Sequence, residues 1–240
     1  MRYQFVDCRW RLGAPEHGRG LYLAGHVPGA SFLDVERDLS APPGGADGGR
    51  HPLPGAAEFA AAAAGAGIGH GVFVVAYDDG MSGGAARLWW LLRHFGHDDC
   101  AVLDGGIDAW LGPLVAGEEE VERAEFTPRA RSDDVAGADE IEARAGEPGF
   151  VLVDARVPER YRGDVEPIDP VAGHIPGAIN VPYPEALGAA VPDGDVVVYC
   201  GSGVTASVNA LALARAGRAA RLYPGSWSEW SSRGLPVERG

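Results

Sequence analysis

An α/β fold in two tandem copies, each a mainly parallel sheet flanked by helices, is predicted by three observations. Short apolar runs rich in β-branched residues alternate with stretches of helical periodicity. Those runs are apolar at successive positions, as strands covered on both faces are. Four landmarks also recur in the same order in the two halves of the 240-residue chain. Phe5-Val6-Asp7-Cys8-Arg9 matches Leu152-Val153-Asp154-Ala155-Arg156, and Gly25-His26-Val27-Pro28-Gly29-Ala30 matches Gly173-His174-Ile175-Pro176-Gly177-Ala178. Val75-Ala76-Tyr77-Asp78 matches Val197-Val198-Tyr199-Cys200, and Val102-Leu103-Asp104-Gly105-Gly106 through Trp110 matches Leu222-Tyr223-Pro224-Gly225-Ser226 through Trp230.

In chain order, a strand is expected at the start, around Phe5 and Val6. Between the Gly-His turn and the next strand the first copy is longer than the second, which places an insertion of about 26 residues within 31 to 70. Its front part, Ser40 to Pro52, is rich in proline and glycine and reads as loop, a candidate lid or pocket wall. Val74 to Tyr77 is a strand, and Ala85 to His94 a helix that stops at Gly96. Residues 112 to 136 are charged and poor in core residues, so the domains are read as 1–122 and 137–240 with a linker at 123–136. In the second copy Phe150 to Val153 and Val196 to Tyr199 are strands. Thr205 to Arg215 is a helix stopped by Ala216-Gly217.

Composition limits the function. No apolar run approaches the roughly 20 residues of a membrane helix, and the start of the chain lacks a leader pattern, so a cytoplasmic protein is expected. The net charge of −14 disfavours nucleic acid and anionic membrane surfaces as partners. There is no lysine, which excludes Schiff-base chemistry. Cys8, Cys100 and Cys200 are far apart with no CxxC pair, so neither a disulfide framework nor a metal site is indicated, and no cofactor is implied. Cys8 and Cys100 lie in or beside apolar segments and read as small buried hydrophobes.

Cys200 is different. It stands where an apolar strand ends and a glycine-rich turn opens into a helix, in Val198-Tyr199-Cys200-Gly201-Ser202-Gly203-Val204-Thr205. Backbone N–H groups of such a turn converge, and the helix adds its positive end, so a thiol there is expected to ionise easily and to lie exposed to small molecules. The first copy repeats the turn with Asp78, a carboxylate able to cap the loop but not to attack. A phosphatase loop would need an arginine six residues after the cysteine, and Ala206 stands there.

Taken together, Asp-x-Arg and Gly-His-x-Pro-Gly-Ala in both copies, Arg160-Tyr161-x-Gly163, Cys200-Gly201-Ser202-Gly203-Val204-Thr205 and Gly225-Ser226-Trp227-x-Glu229-Trp230 resemble the tandem-domain rhodanese sulfurtransferases. The resemblance covers nearly the whole chain. It implies a non-catalytic first domain and a second domain whose cysteine becomes a persulfide, taking sulfur from a small anionic donor and passing it to a thiol or cyanide acceptor, thioredoxin among them. It also favours a monomer. The Cys-Gly-Ser-Gly-Val-Thr loop is similar to that of mercaptopyruvate enzymes, whereas thiosulfate enzymes carry two cations after the cysteine; 3-mercaptopyruvate is therefore the first-choice donor and thiosulfate the alternative.

On the same resemblance Cys200, Ser202, His51 and Asp34 are the catalytic set, the last three as a Ser-His-Asp relay. Arg160 holds the donor's carboxylate or sulfonate, and the N–H groups from Gly201 and Gly203 through Val204 and Thr205 stabilise sulfur anions. A solvated loop histidine is an equally open reading of His51, and a surface ion pair with an acid such as Glu159 is the competing reading of Arg160. One departure stands out. Where mercaptopyruvate enzymes carry a second arginine after Glu-Pro, this chain reads Glu166-Pro167-Ile168-Asp169. His26 and His174 occur in both copies and read as structural, as do Asp7 and Asp154. A non-catalytic binding or redox-sensing module is the remote alternative.

Overall fold

The computed structural model describes residues 2–44, 48–80 and 82–240. Gly45, Ala46 and Asp47 of the expected loop, and Met81 in the Asp78 turn, lie outside them. The chain divides into two compact units, Met1–Ala41 with Leu53–Arg131, and Pro42–Pro52 with Ser132–Gly240. The expected linker is shared between them. The proline- and glycine-rich segment 42–52, read from sequence as part of the first copy, groups by contact with the second unit.

In the first unit, β1 (Arg2–Asp7), β2 (Ser31–Phe32), β3 (Val72–Tyr77) and β4 (Cys100–Val102) form a parallel sheet in the order β2-β1-β3-β4. Helices α1 (His17–Ala24), α2 (Ala56–Gly65) and α3 (Gly84–His94) connect them. The non-consecutive order follows from helical crossovers, the only economical way to join parallel neighbours. Helix α3 is buried on nearly every side, which its run of Leu88, Trp89, Trp90, Leu91 and Leu92 explains.

The second unit repeats the plan. β5 (Phe150–Asp154), β6 (Ile179–Asn180), β7 (Asp195–Tyr199) and β8 (Arg221–Leu222) are parallel in the order β6-β5-β7-β8, with α4 (Ala138–Arg144), α5 (Pro158–Arg162), α6 (Ala206–Arg215) and α7 (Ser226–Ser232) around them. Register repeats as well: Asp7 sits opposite Tyr77, and Asp154 opposite Tyr199. The core gathers Leu152, Val197, Tyr199, Tyr223, Trp227 and Trp230 with Ile141 and Ile175. Burying two tryptophans and two tyrosines contributes several kcal/mol, at about 25 cal/mol per Å² of apolar surface. Among the described residues, no helix is long and apolar enough to cross a membrane.

Gly49 and Arg50 are held against Gly225 and Ser228 by their backbone. The Arg50 N–H donates to Ser228 Oγ at 3.0 Å. Gly49 has φ +71°, and a Cβ there would lie 2.5 Å from the Gly225 carbonyl oxygen and 2.7 Å from Ser228 Oγ. Only glycine permits that approach.

Candidate active site

The site lies at the carboxyl end of β7, where a doubly wound sheet presents its loops. Cys200 follows Tyr199 directly, and its Sγ accepts N–H groups from Gly203 at 3.1 Å and Ser202 at 3.5 Å. The N–H groups of Gly201, Val204 and Thr205 have no hydrogen-bond partner among the described residues, and α6 starts at Ala206 with its positive end toward the same loop. This is an anion-binding nest. The backbone is pinned from behind: the Cys200 N–H donates to Ser226 Oγ at 3.1 Å, and its carbonyl accepts the Trp227 N–H at 3.0 Å. Ser226 has φ +53°, the only non-glycine residue with positive φ among those described. Strain of this kind collects where structure over-determines a functional position.

The other two thiols face the opposite way, as hydrogen-bond donors to carbonyls. Cys8 Sγ lies 3.9 Å from the Val6 oxygen, and Cys100 Sγ lies 3.6 Å from that of His97. Burial, and after it the carboxylates of Asp7 and Asp78, push the Cys8 thiol far up, while burial pushes Cys100 up to about 12. Cys8 is buried, as expected, whereas Cys100 is only partly buried.

The expectation that Cys200 is exposed is corrected: its residue is 2% accessible. A sulfur that accepts N–H bonds from two and three residues ahead must turn inward under its own loop. The loop is also overhung by two arginines. A Cβ placed on Gly201 would lie 3.3 Å from Arg160 Nη1 and 3.3 Å from Arg50 Nη2.

Ser202 and His51 are brought together, Ser202 Oγ to His51 Nδ1 at 2.7 Å, both buried. His51 is therefore not a solvated loop histidine. Asp34 belongs to the other unit, where its Oδ1 closes a turn by accepting the N–H groups of Glu36 and Arg37 at 2.9 Å each.

Arg160 carries an ion pair, but not with Glu159, which faces Arg162. Its Nε and Nη2 fork onto the buried Glu166 carboxylate at 2.7 to 3.1 Å, and Nη2 also reaches Asp169 Oδ2 at 3.2 Å. Glu166 is shared with Arg156 at 3.4 Å, and Arg156 holds Asp154 with two nitrogens. Burial alone would favour a neutral Arg156, but Asp154 against it keeps the guanidinium charged, its pKa above the ordinary value. Arg50 Nη1 completes the series on Asp169 Oδ1 at 2.8 Å. Sequence reasoning missed Arg50 and Glu166. The signal for the first was Asp169 itself, an acid that calls for a cation from elsewhere in the chain.

In the twin turn Asp78 does what was expected of it. Oδ1 accepts the Gly80 N–H at 2.7 Å and Oδ2 the Ala85 N–H at 3.1 Å. Burial raises its pKa, and those two N–H groups oppose the rise. The paired histidines are also structural: His26 and His174 stack on Tyr22 and Tyr161 and bond through Nδ1 to the carbonyls of those same tyrosines at 2.7 and 2.8 Å. Asp7 and Asp154 anchor Arg9 and Arg156, which reach the carbonyls of Gly25 and Gly173 at 2.7 Å each.

Comparison with known proteins adds four findings of one kind. The rhodanese-like domain model matches residues 1–112 and 137–233. A Mycobacterium tuberculosis protein named "Putative thiosulfate sulfurtransferase SseB" is 45% identical over 98% of this chain and 90% of its own. A Pseudomonas aeruginosa protein named "Probable 3-mercaptopyruvate sulfurtransferase" is 43% identical over 94% of this chain and 88% of its own. Among solved structures, the 3-mercaptopyruvate sulfotransferase SseA from Escherichia coli superposes with a TM-score of 0.78 at 32% identity, covering 95% of this chain and 93% of that one.

Proposed function

The chain belongs to the rhodanese family and is a sulfurtransferase, and on that premise we propose that it moves the sulfur of 3-mercaptopyruvate, through a persulfide on Cys200, to a thiol or to cyanide. The observation that carries the proposal is the nest of N–H groups on Cys200 Sγ, set against the carboxylate that fills the same turn in the first unit. The same N–H groups face the sulfur as it attacks and as it carries the persulfide, so no reorganisation separates the two states.

The Cys200 thiolate attacks the donor's sulfur, and the bond between that sulfur and carbon 3 breaks. The electron pair passes to carbon 3 and is delocalised as the enolate of pyruvate. Ser202 Oγ, backed by His51 Nδ1 at 2.7 Å, is the group that meets the enolate and relays a proton to it. The persulfide loses its proton, and an attacking cyanide or thiolate takes the outer sulfur and returns Cys200 as thiolate.

The name of the Mycobacterium tuberculosis relative favours thiosulfate as donor. The loop here offers Gly201 and Ser202 after the cysteine and no cation, which suits a keto acid better than a sulfonate dianion. The acceptor is a small thiol, a thioredoxin or cyanide, and the enzyme acts as a cytoplasmic monomer; three free cysteines accord with a reducing compartment.

Thiocyanate formation from each donor with cyanide is the test. The expected result is faster turnover of 3-mercaptopyruvate than of thiosulfate, with a mass gain of one sulfur atom on Cys200 when the acceptor is omitted. Turnover of thiosulfate alone overturns the donor assignment, and no mass gain with either donor overturns the persulfide.

A further inference from the structure

From the end of β5 to segment 42–52, charges alternate along one continuous series: Asp154, Arg156, Glu166, Arg160, Asp169, Arg50. Three guanidinium groups meet three carboxylates, so the series has no net charge. Its directional donors are another matter. Arg160 engages Nε and Nη2 and leaves Nη1 unpaired; Arg50 engages Nη1 and leaves Nη2 and Nε unpaired. The Arg50 Nε is buried without a partner, an arrangement that folded proteins avoid unless a ligand completes it.

The unpaired ends converge. Arg160 Nη1 and Arg50 Nη2 both lie 3.3 Å from the point where a Cβ on Gly201 would stand, next to the nucleophile. Asp169 touches both arginines, through Oδ2 and Oδ1, and so fixes the angle between them. The Arg50 backbone is held on Ser228 beside the tight Gly49 turn. Nothing here is a loose surface arginine.

We infer that Arg50 is a substrate-binding and specificity-determining residue, which with Arg160 forms a two-guanidinium clamp, aimed by Asp169, for the carboxylate of a monoanionic donor. This rests on the proposed sulfurtransferase reading and adds the means by which the donor is recognised. The clamp supplies forked N–H donors but no excess charge, because Glu166 and Asp169 neutralise it. A monocarboxylate needs the geometry and little net charge. A dianion such as thiosulfate needs the charge, and gains less.

The test is equilibrium binding, by calorimetry, of 3-mercaptopropionate, which carries the carboxylate and thiol but no keto group to accept electrons. Arg50→Gln is expected to raise its Kd roughly 10- to 100-fold, Arg50→Lys to recover part of that loss, and Asp169→Asn to raise Kd by about 3- to 10-fold through lost aim. Asp169→Asn leaves Arg50 in place, so the clamp stays testable should Arg50→Gln fold poorly. A Kd in Arg50→Gln within twofold of the wild-type value, or no binding to the wild type, overturns the clamp while leaving a protein that turns over 3-mercaptopyruvate as a sulfurtransferase. A wild type that binds the analogue in an Arg50-dependent way and makes no thiocyanate upholds the clamp and overturns the proposed reaction.

Discussion

Asp78 and Cys200 occupy one turn in two copies, each at the end of the third strand of its unit and each encircled by backbone N–H groups. Around them the copies diverge in what they add. The first unit has Gly106 at φ +62° where the second has Ser226 at φ +53°. In each, the following N–H closes on the turn: Ile107 on the Asp78 carbonyl at 2.8 Å, Trp227 on the Cys200 carbonyl at 3.0 Å. A Cβ on Gly106 would lie 2.5 Å from the Asp78 oxygen, so that turn is closed too tightly for a side chain. The second turn is open enough to admit one, and its hydroxyl holds the Cys200 N–H. The Asp-Arg anchor is common to both, but only in the second does it continue into Glu166, Arg160, Asp169 and Arg50. The cradle thus belongs to the fold, and the two copies differ in what is attached to it.

Four experiments with six substitutions probe that contrast. Cys200→Ser should lower thiocyanate formation by at least about 1000-fold, and adding Asp78→Cys to it should restore nothing, because the first unit lacks the series leading to Arg50; recovery of even a tenth of the activity would mean that the cradle suffices. Next in size, Ser202→Ala is expected to reduce kcat by about 100-fold with 3-mercaptopyruvate while leaving transfer from a preformed persulfide to cyanide nearly unchanged, a split that single-turnover kinetics would resolve.

Exchanging the strained residues comes third. Gly106→Ser should destabilise the protein by about 2 kcal/mol or more, read as a lower Tm. Ser226→Gly relieves a left-handed backbone worth about 1 kcal/mol and loses two hydrogen bonds of about that size each, from the Cys200 N–H and to the Tyr223 carbonyl, so its Tm should fall less than that of Gly106→Ser while kcat falls by about 3- to 10-fold. Equal losses of stability in the two would refute the claim that only the first turn is closed to a side chain.

The smallest effect concerns the second unit's own ion network, in which Arg221 and Arg144 bracket Glu140 and Asp195. Hydrogen bonds from Arg221 lead in holding both carboxylates below their usual range. Since they titrate lower folded than unfolded, their contribution is complete above the unfolded value, about 4, and is lost as pH falls through the folded one. Arg221→Gln should therefore flatten the acid limb of a Tm-against-pH curve and cost about 1 kcal/mol or less at neutrality, these groups being partly exposed. The first unit has Ala101 in place of Arg221 in the strand register, and there Arg93 and Arg131 meet on the exposed Asp98 instead.

Much of this was legible before the fold was known, and the reason is local. The strand ends, the glycine-rich turn, the blank Asp78 and the paired structural histidines are each specified by a few adjacent residues. Cys200 as candidate nucleophile needed only its own loop. What stayed hidden depends on distance along the chain. Arg50 meets Asp169 across 119 positions and His51 meets Ser202 across 151, and no periodicity encodes such pairs. The burial of Cys200 was missed for a related reason, since a turn motif predicts where N–H groups point but not which remote side chains roof it. Arg160, which the sequence marks as the arginine for the donor's carboxylate or sulfonate, pairs with Glu166, six residues on, rather than with the adjacent Glu159.

The 11-residue stretch Pro42–Pro52 leaves the first lobe, attaches to the second, and brings His51 and Arg50 with it. A gene fragment beginning at the second repeat would encode the thiol without the imidazole that backs Ser202 or the cation tethered by Asp169. The sulfur-free repeat thus carries, inside its own stretch of sequence, side chains that its sibling does not encode.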